Sequence, residues 1–251
     1  MVSATATAGT HATVTARTAG GRLGALAGLA FSFFFFMGTA MLDLPHGVSD
    51  REMVAWWTDS GHQATTVVSM YSFVLAGLCF LVFLAKLRSR LLTAEGGTGE
   101  LTSLAVASGA VFVAMLFVAA AARGGIGFAI KSPVGNEVLP GADTLRYYPT
   151  IGYAALGAGG LLAAAVTMAT TSWLIVRTAV FGRWLAWVGA AAALVIVLAN
   201  VALSGVMVIP AMLVWTVATS VALGRGDTRT RTTAKADAHD IAAAVSPPSA
   251  P

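Results

Sequence analysis

Hydrophobic positions along the chain gather into five uncharged runs separated by short polar stretches. Four of them, Leu23–Leu42, Gln63–Ala85, Leu101–Ala122 and Ile151–Val176, are each long enough to cross a hydrocarbon core of about 30 Å as one helix. The fifth, Trp184–Gly224, has 41 residues, or about 60 Å of helix at the usual rise, so it must fold back on itself. A turn near Ser204–Gly205 is predicted, because Gly205 takes turn conformations without a Cβ penalty and Pro210 is tolerated early in the following helix. The pattern therefore predicts an all-α polytopic membrane bundle of six transmembrane helices, at about 23–42, 64–85, 101–122, 151–176, 184–202 and 206–223. Residues 1–22 and 225–251 flank this 23–224 domain without apolar periodicity and are expected to be disordered tails. The first run is expected to stay as an anchor, since its 20 residues exceed the roughly 7–15 of a signal-peptide core.

Charge then orients the bundle. Six crossings put both termini on one side. If that side is the cytoplasm, it receives Arg17, Arg22, Lys86, Arg88, Arg90, Arg177, Arg183, Arg225, Arg229, Arg231 and Lys235. The outside receives only Arg51, Arg123, Lys131 and Arg146. The 15 basic residues thus divide 11 to 4, as the positive-inside rule requires for cytoplasmic termini in a plasma membrane. Trp173, Trp184 and Trp187 are expected at the inner interface, and Trp56, Trp57, Tyr147 and Tyr148 at the outer one. Trp215 falls mid-helix, where packing against a neighbour is expected.

Composition agrees with a membrane protein and removes several functions. Hydrophobic residues make up 57% of the chain and charged residues 10%, against about 25% charged in soluble domains. The basic excess, 15 against 11, is accounted for by topology, so no nucleic-acid partner is expected. One cysteine allows no internal disulfide, four-cysteine zinc site or CxxC pair. Phosphate-binding glycine loops and HExxH are missing from the sequence. No ionisable residue lies within the six expected helices, which argues against buried-carboxylate proton coupling and intramembrane aspartyl proteolysis.

Two loops on the expected outer side carry the remaining signals. In the first, 43–62, Ser49 and Glu52 have capping-box spacing, and Met53, Trp56 and Trp57 follow at helical spacing. A short helix along the outer interface is predicted. The second, 123–150, is rich in Gly and Pro and is expected to be a loop, with Ile126–Ile130 able to dip into the bundle.

Candidate binding residues are the neutral polar groups within helices: Tyr71 and Ser72, Thr167 and Thr171, and Asn200. Each also has an ordinary use in interhelical hydrogen bonding. A divalent-metal site is conceivable at the first outer loop, where Asp43 and His46 begin it and Asp59 and His62 end it as two D-x-x-H pairs. D-x-x-H is not a recognised zinc spacing, and solvated loop residues or a helix cap explain the same side chains. No other cofactor is expected.

The order of SDREMVAWWTDSGHQ, SFVLAGLCFLVFLAKLRSRL and FGRWLAWVG, spread over residues 23–224, resembles that of uncharacterised six-helix membrane proteins of high-GC actinobacteria. The resemblance is one of layout; it implies the same fold and no known activity. The residues favour a non-enzymatic accessory, regulatory or small-molecule-binding membrane protein, whose partners are the lipid bilayer and other membrane proteins or a second copy. A facilitator or transporter comes next, and a membrane enzyme using the outer-loop Asp and His residues last.

Overall fold

In the computed structural model the described residues are 5–41, 45, 47–132, 139–202 and 207–225, with side chains in the first helix from Arg22 onward. The helices are α1 (Thr5–Ala40), α2 (Asp50–Thr58), α3 (Ser60–Glu95), α4 (Glu100–Lys131), α5 (Ala142–Ala154), α6 (Leu162–Thr178) and α7 (Arg183–Val201). A π-helical segment, Ala155–Leu161, joins α5 to α6, and the last described helix, α8, is Val208–Arg225. Among the described residues six spans are long and apolar enough to cross a membrane: Arg22–Ala40, α3, α4, the continuous rod Ala142–Thr178, α7 and α8. The chain is a multi-pass helical membrane protein.

Several helices outrun their apolar runs. Helix α1 begins at Thr5, within the stretch expected to be a tail. Helix α3 holds 36 residues, about 54 Å of axis, so its ends project beyond the hydrocarbon core. Asp59 starts it by accepting from the Gly61 and His62 amides at 2.7 and 3.0 Å, the ordinary service of an N-cap carboxylate. At the other end Gly96, Gly97 and Gly99 all take positive φ, which turns the chain sharply into α4. Gly99 has no side chain with which to cap α4. Glu95 does so from across the turn, accepting from the Leu101 and Thr102 amides at 2.9 Å each, where a negative charge also suits the helix dipole.

The largest departure from expectation lies at 123–131. This stretch continues α4 as helix to Lys131 and is not an outer loop. Its glycines are there for helix contact. A Cβ on Gly124 would sit 2.8 Å from the Thr66 carbonyl oxygen, and one on Gly127 2.8 Å from that of Gln63. Only a hydrogen lets α4 approach α3 so closely. Similarly α5 begins at Ala142, with Pro149 inside it and buried, where residues up to 150 were expected to be loop.

Aromatic side chains fill the centre. Phe31, Phe80 and Phe112 interlock with ring centroids 4.8 and 5.1 Å apart in successive pairs. Trp215 is buried and meets the Phe83 ring edge-on at 5.9 Å. Large apolar side chains are correspondingly exposed around the periphery, as lipid requires: Phe33 and Phe36 face outward while Phe35 is buried. Helix α7 ends at Val201 and α8 starts at Val208. The expected turn at Ser204–Gly205 lies outside the described residues.

The two ends of the bundle differ. One, the basic face, carries Arg22, Lys86, Arg88, Arg90, Arg177, Arg183 and Arg225 at or near helix ends. The opposite one, the cap face, carries α2 and the first turns of α5. The Ser49 hydroxyl and the Glu52 carboxylate complete a reciprocal capping box at the start of α2. Hydrogen bonds from the Ser49 amide and hydroxyl hold the exposed Glu52 carboxyl below its ordinary range. Met53 and Trp57 are buried with Ile126 of α4 and Leu145 of α5. The apolar face of α2 therefore packs on protein, and Trp57, expected at the membrane interface, is fully enclosed.

Candidate functional site

Among the described residues Arg123 is a buried cation. It lies within α4, about two turns or 12 Å before the helix ends at Lys131, and is 5% exposed. The helix expected to end at Ala122 thus runs on through this charge. Its guanidinium carbon lies 4.1 Å from the Tyr153 ring centroid and 5.5 Å from that of Phe73, so two aromatic faces receive its charge. Gly152 makes the room: a Cβ there would stand 2.7 Å from Arg123 Cγ and 3.0 Å from the Ala119 carbonyl oxygen. Among the described residues no carboxylate pairs with Arg123, and its Nε is buried without a hydrogen-bond partner. A buried charge left in this state costs several kcal/mol.

Tyr153 also lines a cavity of about 180 Å³ under the cap, together with Pro45, Gly47, Met53, Leu145, Arg146, Pro149 and Thr150. Arg146 holds the cavity's rim. Its Nη1 donates to Asp50 Oδ1 at 2.5 Å and its Nη2 to the Val48 carbonyl at 2.7 Å, tying α5 to the start of α2. Arg146 is thus committed to a carboxylate, whereas the more deeply buried Arg123 has none among the described residues. The π-helical turn begins two residues after Tyr153, and such turns are frequent at functional sites.

The residues marked out by sequence fall in several places. Thr167 is buried on α6, its hydroxyl 2.9 Å from that of Ser108 on α4 and 3.2 Å from the Ala105 carbonyl oxygen. Thr171, one turn on, is buried with its hydroxyl unpartnered. Asn200 is half-buried and donates to the Ile196 carbonyl at 3.3 Å, with its Oδ1 toward Gly157 of the π-helical turn. Ser72 is buried on α3, whereas Tyr71 is 51% exposed and borders a surface groove with Val67, Phe128 and Lys131. Thr167 and Thr171 share one buried face; Tyr71 points away from the bundle, so the five do not converge.

Of the outer-loop quartet, Asp43 and His46 lie outside the described residues. Asp59 and His62 are adjacent, with 3.8 Å between His62 Nδ1 and the carboxylate. Both have other work. Amide hydrogen bonds from His62 and Gly61 hold the Asp59 carboxyl below its ordinary range. The His62 ring stacks on Trp56 at 4.4 Å, with Nδ1 3.1 Å from the Trp56 carbonyl oxygen. Among the described residues no group of three or more His, Cys, Asp or Glu could hold a metal ion.

Sequence reasoning missed Arg123 because the charge was taken to end the third span. A signal was nonetheless present, since the apolar run resumes at Ile126 and Ile130 in register with Ala119 and Ala122. Comparison with protein-family models, curated proteins and solved structures finds no match to this chain.

Proposed function

We propose that this membrane protein is a non-enzymatic binder of a small molecule, received under the cap and read out through α2 and α5 as an accessory or regulatory signal. The observation that carries the reading is the cavity of about 180 Å³ bordered by Tyr153, the residue that stacks on the guanidinium of Arg123, which has no carboxylate partner among the described residues. Its wall combines apolar side chains, Met53 and Leu145 among them, with the polar Arg146, Thr150 and Tyr153, a mixture that can hold and orient a small ligand. The distribution of arginines and lysines supports cytoplasmic termini, a plasma-membrane location and a cap that faces outward. A ligand arriving from outside would meet the cap first. Contacts it makes with Met53 on α2 and Thr150 on α5 would change how those two helices hold each other.

The test is thermal unfolding of the detergent-purified protein against a panel of small amphipathic molecules, neutral, anionic and cationic, of about ten heavy atoms. Thr150→Trp, which fills the cavity from its rim, is the control. Stabilisation by a panel member that is lost in Thr150→Trp supports the reading. No stabilisation by any member, or stabilisation that survives the filled cavity, overturns it.

A further inference from the structure

We propose that the ligand of the cap cavity is a small amphipathic carboxylate whose charge is neutralised by Arg123, an inference that rests on reading the cavity as a ligand site. Charge balance gives the sign. Arg146 is already compensated by Asp50 and the Val48 carbonyl. Among the described residues Arg123 has the Tyr153 and Phe73 rings and a hydrogen bond with the Tyr153 side chain, and these neutral groups offset part of a cation's charge without supplying a counter-charge. A guanidinium presents five N–H donors and no acceptor, and here Nε–H is buried with nothing to accept it. A monoanion placed beside it removes both deficits at once. A dianion would leave a buried excess of negative charge, because the site offers one uncommitted positive group among the described residues.

The cavity supplies the rest of the ligand's description. Pro45, Met53, Leu145 and Pro149 make its walls apolar, while Thr150 and Tyr153 add hydroxyls. A volume of about 180 Å³ slightly exceeds the roughly 150 Å³ that holds a benzene ring. One ring, or a chain of similar size, with a carboxylate at its end fills that space. Arg123 does not itself line the cavity; Tyr153 stands in the cavity wall and carries the guanidinium on its face, so the carboxylate is placed at that ring's edge, next to the cation. Planar guanidinium and planar carboxylate pair well in that geometry.

Benzoate and benzamide separate the charge from the shape. The binding of each to the purified full-length protein is measured by titration calorimetry in detergent, for wild type, Arg123→Lys, Arg123→Gln and Thr150→Trp. Expected is benzoate binding at least about tenfold tighter than benzamide. The preference should persist in part in Arg123→Lys and vanish in Arg123→Gln, and Thr150→Trp should bind neither. Should Arg123→Gln fail to fold, the wild-type preference and the Thr150→Trp control still decide. Equal binding of the two probes, or no benzoate binding while other panel members stabilise the protein, overturns the carboxylate and leaves the cavity reading standing. Benzoate binding undiminished in Thr150→Trp overturns the site, and no stabilisation by any panel member overturns both.

Discussion

Gly125 and Gly127 are two residues apart, yet alanine at each should have opposite effects. A Cβ on Gly127 would lie 2.4 Å from Thr66 Oγ1 and 2.8 Å from the Gln63 carbonyl oxygen, whereas one on Gly125 would meet nothing within 4 Å. The Thr66 hydroxyl can rotate aside, but the Gln63 oxygen is backbone. Restoring ordinary contact at about 3.4 Å requires α3 and α4 to separate by roughly 0.6 Å, and overpacking of this kind costs about 1–3 kcal/mol. At Gly125 no contact opposes the change, and replacing a helical glycine with alanine gains roughly 0.5–1 kcal/mol. The two variants should therefore differ by about 1.5–4 kcal/mol. Reversible unfolding in mixed micelles by SDS titration would read the difference. Equal effects of the two substitutions, or a neutral Gly127→Ala, would refute the helical packing of 123–131 on α3.

Three further outcomes follow from the same geometry. Gly189→Ala should be destabilising, because its Cβ would stand 2.2 Å from Ser172 Oγ and 3.1 Å from Trp215 Nε1; adding Ser172→Ala should recover part of the loss in a double-mutant cycle, and strict additivity would count against that contact. Hydrogen bonds depress the Asp59 carboxyl below its ordinary value of 3.8, so its contribution is fully present above that pH and fades as pH falls through the depressed value. Hydrogen exchange at Gly61 and His62 should accelerate below about pH 4 in wild type and be nearly independent of pH-linked cap loss in Asp59→Asn, once intrinsic rates are corrected; parallel profiles would contradict the cap. In intact cells with Cys79 replaced by Ala, Ser60→Cys should react with an impermeant thiol reagent and Thr98→Cys only after permeabilisation; the reverse would invert the proposed topology.

Span number and the approximate position of each span were legible because lipid demands long uncharged runs, and α7 matches its expected bounds within a residue at each end. The capping box at Ser49 and Glu52 was legible too, since it is a local pattern with a local cause. What escaped was tertiary. Glycines at 124 and 127 look like loop formers until the helix that lies against them is known. Arg123 looks like a flank until Tyr153 and Phe73 are seen to enclose it. Trp57 was placed at the lipid interface by its chemistry, but Ile126 and Leu145, distant in sequence, cover it. The five polar candidates were chosen by residue type, and type alone does not say that Tyr71 faces outward while Thr171 faces in.

Occupancy of the cap cavity is tested most directly by thiol protection at its rim. Thr150, which borders the cavity and is exposed, is replaced by Cys in a Cys79→Ala background, and its rate of reaction with a small thiol reagent is followed in the purified protein. The account predicts fast labelling of the empty protein, slowed severalfold by benzoate and recovered when the benzoate is removed, with much weaker protection by benzamide at the same concentration. A labelling rate that neither benzoate nor any stabilising panel member alters would contradict ligand binding under the cap.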